Sequence, residues 1–179
     1  MNYKKIHFFD MEMCCWNDGR VPNVGEIIEI SFATLDVKTL EITKKTQLYV
    51  KPDKDQVSDE CETLTRISQE KINKVGRPLR DIVQTIQKKV GGKKAIFASW
   101  GRDDLYLEKE CLSKNLASPI VENINIETLF GLKHQTGSNS VSLTRALGVY
   151  GLEFEGEQHS ALDDAYNLAK LYREMIKNA

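Results

Sequence analysis

The sequence predicts an α/β fold, a mixed five-stranded sheet flanked by helices. Strand-like segments come first along the chain, and strand-like and helical segments then alternate, an order typical of such folds. A long amphipathic pattern from Ser160 to about Lys177 predicts a closing helix. No repeat, low-complexity segment or Pro/Gly-rich linker divides the 179 residues. We therefore expect a single domain over residues 1–179.

The strands are predicted from their composition. IHFFDMEMCC (6–15) has aromatic and apolar residues on both faces, as a central strand requires. Residues 25–37 and 40–52 are rich in Ile, Val, Thr and Tyr and are separated by a short polar turn, which favours an antiparallel pair. KKAIFASW (93–100) predicts a fourth strand. VENINIETLF (121–130) predicts a fifth strand that leads into a helix.

The helices are predicted from apolar spacing and from their end signals. Residues 58–73 contain two short helical pieces. A helix from about Pro78 to Val90 has proline near its first turn and the Gly91–Gly92 pair as its stop. Residues 101–115 predict a further helix, and residues 140–152 predict a short one.

Composition excludes several classes of protein. Hydrophobic residues make up 41% and charged residues 28% of the chain, which is ordinary for a globular protein. A net charge of −1 argues against a protein that coats long stretches of nucleic acid, but not against one that grips a few nucleotides. No apolar run reaches the roughly 18 residues of a membrane span, and no signal peptide is recognisable. The four cysteines contain no CxxC pair, which favours reduced thiols in a cytoplasmic protein.

Two carboxylates stand on one face of the first predicted strand. Successive strand side chains alternate in direction, so Asp10 and Glu12 point the same way. An unpaired charge buried there would cost several kcal/mol. Two interpretations stay open from these residues alone: a bound cation, or a hydrated strand end.

The closing helix provides an independent indication of a cation site. One stripe is polar and is predicted to face water; it comprises Asp163, Asn167, Lys170 and Glu174. The other stripe is apolar after its first member; it comprises Asp164, Leu168, Leu171 and Met175. Asp164 should therefore face inward, where it needs a cation. His159 lies five residues earlier; a lone histidine is more often a surface or capping residue, but beside a metal-binding aspartate it is placed to accept a proton from water.

A further acidic position follows the fourth predicted strand. The chain turns at Gly101 and enters a helix with Asp103 and Asp104 in its first turn. Helical periodicity does not choose between the two aspartates, and an acidic residue at a helix N-terminus also has a purely structural explanation.

Together these segments resemble the DEDDh family of 3′→5′ exonucleases, the superfamily of RNase T, oligoribonuclease and polymerase proofreading subunits, and within it the Eri-type exoribonuclease branch. The resemblance runs through DMEMCCW, GEIIEISFATLDVKTLEI, YVKP, VSDECETLTRIS, SWGRDDLYL and FEGEQHSALDDAYNLA. It implies an RNase H-like fold. It also implies four metal-binding carboxylates and a general base, which are Asp10, Glu12, Asp104, Asp164 and His159. The WGxxD register of the family selects Asp104 over Asp103.

The resemblance also implies the reaction. Two Mg²⁺ or Mn²⁺ ions would be bound per active site, and Glu12 and His159 would be catalytic. Nucleoside 5′-monophosphates would be released from a single-stranded 3′ end, and the resemblance favours RNA over DNA. A DNA 3′→5′ exonuclease and a catalytically inactive nucleic-acid-binding module are the alternatives. The natural substrate, tolerance for duplex ends, oligomeric state and protein partners stay open.

The chain departs from the family pattern beside the expected nucleotide pocket. Met13 and Cys14 stand where small residues are usual, and Arg66 stands where glycine is common. By resemblance, these segments border the pocket for the 3′-terminal nucleotide. The residues expected to contact substrate are Met11, Met13, Thr65 and Trp100. For Trp100, stacking on a base and packing in the core are both open.

Overall fold

The computed structural model describes residues 4–20, 22, 24–91, 95–136 and 141–177. Within these ranges five strands form one mixed sheet of order β3-β2-β1-β4-β5. The strands are β1 (Lys5–Cys15), β2 (Val24–Asp36), β3 (Ile42–Tyr49), β4 (Ile96–Ser99) and β5 (Glu122–Asn125). β1 is central, antiparallel to β2 and parallel to β4, and β5 is parallel to β4. The predicted α/β class and the central position of the first strand are confirmed.

The helices agree with the predicted order. They are α1 (Asp59–Thr65), α2 (Gln69–Val75), α3 (Leu79–Ile86), α4 (Asp103–Ser113), α5 (Ile126–His134), α6 (Leu143–Val149) and α7 (Ala161–Lys177). α3 follows Pro78 and continues into a π-helical turn at Gln87–Gly91. Parts of some predicted elements lie outside the described residues, namely Gly92, Lys93, Lys94 and Ser140.

Serine and asparagine side chains fix where several helices begin. Ser58, Ser68 and Ser142 accept hydrogen bonds from backbone N–H groups in the first turns of α1, α2 and α6, and Asn125 does the same for α5. Such caps satisfy donors that have no partner inside the helix. They account for the short, well-separated helices predicted between residues 58 and 73.

The two faces of the sheet carry different hydrophobic layers. Ile6 and Phe8 pack with the buried residues of α5, α6 and α7, whereas Phe9 and Phe97 pack with those of α3 and α4. Asp10 and Glu12 share the face of Ile6 and Phe8 because strand side chains alternate. The fold therefore directs both carboxylates towards α7, which packs on β1 and β2.

The predicted stripes of α7 are half right. Leu168, Leu171 and Met175 are buried, as expected. The prediction that the polar stripe faces water was wrong for two of its members, since Asn167 and Lys170 are also buried. Asn167 donates to the carbonyl oxygen of Glu155 and accepts from its N–H, while Lys170 donates to the carbonyl oxygen of Glu153. The loop before α7 covers these side chains, a contact that helical periodicity cannot show.

Cys14, Cys15, Cys61 and Cys111 are free thiols. Among the described residues, no helix combines the length and the apolar character needed to cross a membrane.

Candidate metal centre and active site

Three carboxylates from two elements meet at one end of the sheet. Asp10 and Glu12 project from β1, and Asp164 projects from the first turn of α7. Each offers an oxygen atom, and these atoms all lie within 4.8 Å of one another. The structure thus brings together three of the four predicted metal ligands, although Asp164 lies about 150 residues after Asp10 and Glu12 in the sequence.

Burial makes the carboxylates of this cluster unfavourable in their ionised form. Burial, together with the charges of neighbouring carboxylates, raises the pKa of Glu12 to about 8 and the pKa of Asp10 well above its usual value. Burial also raises the pKa of Asp164 to about 6, against the lowering effect of hydrogen bonds from the backbone of His159 and Ser160. Carboxylate oxygens are the ligands that Mg²⁺ and Mn²⁺ prefer. The donor set fits these ions, and a divalent cation would offset the mutual repulsion of the acids.

The two neighbouring aspartates of α4 lie in different environments. Asp104 forms a two-point contact with Arg102, through Nε–Oδ1 at 3.1 Å and Nη2–Oδ2 at 3.2 Å. Asp103 is half-buried, and among the described residues its buried Oδ2 atom has no hydrogen-bond partner. Burial and the charges of Asp104 and Asp164 raise the pKa of Asp103 to about 7, and the charge of Asp103 in turn raises the pKa of Asp10. Of the two aspartates, Asp103 is the one whose charge acts on Asp10, and a metal-binding role for Asp104 stays a prediction.

The turn before α4 explains this placement. Gly101 has a φ of 92°, a conformation that favours glycine. Arg102 caps α4 without a side-chain hydrogen bond, so Asp103 and Asp104 both occupy the first turn. Adjacent helical side chains diverge by about 100° around the axis, so only one of the two can face the carboxylates.

His159 lies at the entrance to α7, beside Asp164. Its backbone N–H donates to the Asp164 carboxylate, and its φ is 61°. The exposed side chain borders a cavity of about 450 Å³, together with Thr63, Leu64 and Arg66. This position gives the imidazole access to both solvent and the cavity.

The loop that carries His159 is held from two sides. Asp163 accepts the N–H of Glu157 at 3.0 Å, and a side chain at Gly156 would collide with the Asp163 carboxylate. From the other side, Arg66 donates to the carbonyl oxygen of Gln158 at 3.2 Å and pairs with Glu157 at 2.8 Å. Arg66 has a φ of 60°, a conformation that favours glycine, the residue that the family resemblance leads us to expect here.

The four predicted substrate-binding residues are not among the described residues that border this cavity. Met11 is buried beside Phe9, on the sheet face opposite Asp10, and Met13 packs against the same cluster. The hydroxyl of Thr65 donates to the carbonyl oxygen of Cys61. Trp100 packs on Phe130, and its indole N–H donates to the carbonyl oxygen of Val141. Their expected contacts with substrate stay predictions; for Met11 and Trp100 the contacts support the core interpretation.

Sequence reasoning missed one acidic residue near the cluster. Glu29 of β2 is the strand partner of Glu12 and is almost completely buried. The only signal in the sequence is its place between the apolar residues Ile28 and Ile30. Its proximity to Glu12 depends on the register of β2 against β1, which local patterns do not give.

The raised pKa values predict how the metal-free protein responds to pH. The folded state binds protons on Glu12 and Asp103 more tightly than the unfolded chain, so unfolding free energy should fall as pH rises from about 6.5 to about 8. Burial lowers the pKa of His7 from 6.5 to about 4. His7 therefore makes the unfolding free energy rise with pH, but only between about pH 4 and pH 6.5, below this window. Thermal unfolding in EDTA should show a melting temperature that decreases across this window.

Adding Mg²⁺ in the same experiment distinguishes the pH dependence that the carboxylate cluster causes from the part that other groups cause. Glu110 also has a pKa raised by burial, to about 7, and adds to the slope. Saturating Mg²⁺ should flatten only the part that belongs to the carboxylate cluster, because metal binding releases those protons. A slope that is identical with EDTA and with Mg²⁺ would contradict the account.

Comparison with known proteins agrees with this geometry. The chain matches the RNase T exonuclease family model over residues 7–172. It is 32% identical to ERI1 exoribonuclease 2 of Mus musculus, with 98% of this chain and 29% of the relative covered. It is 30% identical to 3′-5′ exoribonuclease 1 of Homo sapiens, with 98% of this chain and 53% of the relative covered.

A solved structure shows the same fold. The nuclease domain of 3′hExo, a DEDDh family member bound to rAMP, superposes with a TM-score of 0.87 at 28% identity, over 99% of this chain and 94% of that one. The chain spans less than a third of the length of ERI1 exoribonuclease 2 and about half of 3′-5′ exoribonuclease 1. The mixed sheet and the carboxylate cluster are consistent with the family match over residues 7–172. The chain belongs to the RNase T exonuclease family.

Proposed function

We propose that the protein is a metal-dependent 3′→5′ exonuclease that shortens single-stranded RNA from its 3′ end and releases nucleoside 5′-monophosphates. The observation that carries this proposal is the meeting of Asp10, Glu12 and Asp164 beside His159. The names of the relatives support RNA as substrate, since they are exoribonucleases. A related 3′-exonuclease recognises the 3′ end of a histone mRNA stem-loop, and 3′hExo binds rAMP.

The chain's own residues would divide the work as follows. Asp10, Glu12, Asp164 and one aspartate of α4 would hold Mg²⁺ or Mn²⁺, and four carboxylates would balance two divalent ions. Such ions activate water and stabilise the charge that develops on phosphate oxygens. His159 would accept the proton of the attacking water at an imidazole nitrogen. The hydrogen bond from its backbone N–H anchors the backbone of His159 next to Asp164.

The fourth ligand is testable with a matched pair of variants. We infer that Asp103 has this role, because its Oδ2 atom is buried and has no hydrogen-bond partner among the described residues, whereas Asp104 is paired with Arg102. Asp103→Asn should lower the rate at saturating Mg²⁺ by about a hundredfold or more, equivalent to about 3 kcal/mol. Asp104→Asn should stay within about threefold of wild type, because Asp104 pairs with Arg102 and its charge is not among those that act on Asp10 or Glu12.

The reverse ranking would restore the predicted role of Asp104. Its pairing with Arg102 would then have to break when metal binds. Thermal unfolding of both variants in EDTA checks that each is folded, so that a rate difference reports the ligand and not a damaged helix.

One assay distinguishes RNA from DNA as the substrate. A 5′-labelled single-stranded RNA and its DNA counterpart are each incubated with Mg²⁺, with and without EDTA. Wild type should shorten the RNA from its 3′ end, and neither strand should be cut in EDTA. Faster cutting of DNA would support the alternative of a DNA exonuclease. Binding without cutting would support an inactive nucleic-acid-binding module.

We also infer that residues 1–179 act as one exonuclease domain and that the protein is cytoplasmic. One sheet with a hydrophobic layer on each face supports the single domain. Four free thiols support a reducing compartment. Fractionation of cells expressing the tagged protein tests the localisation, and recovery in a membrane or secreted fraction would contradict it.

A further inference from the structure

Glu29 is a buried acid that the proposed chemistry does not use. Its side chain is 1% exposed, and it stands opposite Glu12 in the antiparallel pairing of β1 and β2. Opposed residues in such a pair project to the same face, with Cβ atoms about 4.5–5.5 Å apart. Glu29 therefore lies beside Glu12 on the face that carries the metal cluster.

The contacts of Glu29 orient its carboxylate without neutralising it. Its Oε1 atom accepts hydrogen bonds from the Ser31 hydroxyl at 2.6 Å and from the Gln47 amide at 3.0 Å. Both donors are neutral. None of the ion pairs found within the described ranges includes Glu29, in contrast to Glu26, which pairs with Lys114. The charge of Glu29 also contributes to the raised pKa values of Asp10, Glu12 and Asp164, after the effect of burial.

An ionised acid buried beside three others makes the metal-free fold less stable, because its charge is poorly solvated and repels each neighbour that ionises. The same charge attracts a divalent cation held by its neighbours. Its effect is therefore opposite in the two states: it opposes folding without metal and favours the metal complex.

We propose that Glu29 is a positioning residue of the metal centre, which raises the affinity for divalent ions from behind Glu12 without being a ligand itself. This inference rests on the proposed function, since it needs a metal at Asp10, Glu12 and Asp164. We expect the charge of Glu29 to strengthen the binding of a divalent ion by about tenfold or more. This is the effect expected of one charge close to a divalent ion in a partly screened site.

Glu29→Gln tests the charge with little change in shape. The glutamine carbonyl can still accept hydrogen bonds from Ser31 and Gln47. Calorimetric titration with Mn²⁺, without substrate, should show a Kd about tenfold weaker than that of wild type. In EDTA the melting temperature of the variant should be equal to or higher than that of wild type, because a repulsive charge has been removed.

Two further variants separate charge from structure. Ser31→Ala keeps the charge and removes one hydrogen bond, so it should lower the melting temperature in EDTA and leave the Kd within about threefold. Glu29→Asp restores the charge and should recover most of the affinity that Glu29→Gln loses.

Each outcome decides a separate point. Wild-type affinity in Glu29→Gln would overturn the inference. A melting temperature of Glu29→Gln below that of wild type in EDTA, together with an equal loss of Mn²⁺ affinity in Ser31→Ala, would also overturn the inference. Glu29 would then have a structural role. Failure of wild type itself to bind Mn²⁺ would overturn the proposed metal centre and, with it, this inference.

Discussion

Glu12→Gln should abolish exonuclease activity while leaving the protein folded. Glu12 is one of three carboxylates whose oxygen atoms lie within 4.8 Å of one another. Glutamine has nearly the same shape but carries no charge, so the site would lose one quarter of the negative charge that holds the ions. We expect the rate at saturating Mg²⁺ to fall by about a thousandfold or more, which corresponds to about 4 kcal/mol of transition-state stabilisation.

Stability provides the control for this variant. Burial and neighbouring acids raise the pKa of Glu12 to about 8, so its ionised form is unfavourable in the metal-free protein. The melting temperature of Glu12→Gln in EDTA at pH 8 should therefore match or exceed that of wild type. Glu41→Gln, an exposed change in the turn between β2 and β3, should alter neither property. A folded Glu12→Gln protein with wild-type activity would exclude Glu12 from the reaction.

Replacing His159 should give the second largest loss. A positioned general base contributes about a hundredfold to ten-thousandfold to a rate. Because His159 has a φ of 61°, we choose His159→Asn and His159→Gly, since asparagine and glycine tolerate this conformation better than alanine. Single-turnover rates should fall by about a hundredfold or more, whereas Mn²⁺ affinity should stay within about threefold.

Chemical rescue distinguishes a base from a structural residue. Added imidazole should restore part of the activity of His159→Gly, because the side chain of His159 borders an accessible cavity of about 450 Å³. Gln158→Ala, next in the chain and bordering the same cavity, should stay close to wild type. A His159→Asn protein that retains wild-type turnover, with intact metal binding, would contradict the role of His159 as the base.

The parts of the site that sequence could predict are those that obey local rules. Alternation along a strand places Asp10 and Glu12 on one face, and the apolar stripe of α7 turns Asp164 inward; both are found in the structure. The mixed sheet was also predictable, because its strands have composition and turn signals of their own. These inferences needed no knowledge of which elements touch.

The parts that escaped prediction depend on contacts between distant segments. Asp103 and Asp104 share a helical turn, and only the packing of α4 distinguishes Asp103, whose Oδ2 atom is buried without a partner among the described residues, from Asp104, which pairs with Arg102. Glu29 approaches Glu12 through strand register, next to an irregularity in the pairing after Glu12. Helical periodicity predicts that Asn167 faces solvent, but the loop before α7 covers it through hydrogen bonds with the backbone of Glu155.

The central claim is that Asp10, Glu12 and Asp164 gather around divalent ions. Crystals grown with Mn²⁺ and a nucleoside 5′-monophosphate, with data collected at the manganese absorption edge, test it most directly. We predict two anomalous peaks in contact with these three carboxylates, with Asp103 as a further ligand and with the nucleotide phosphate beside His159. Manganese bound elsewhere, or full occupancy of the nucleotide with no peak among the three carboxylates, would contradict the account.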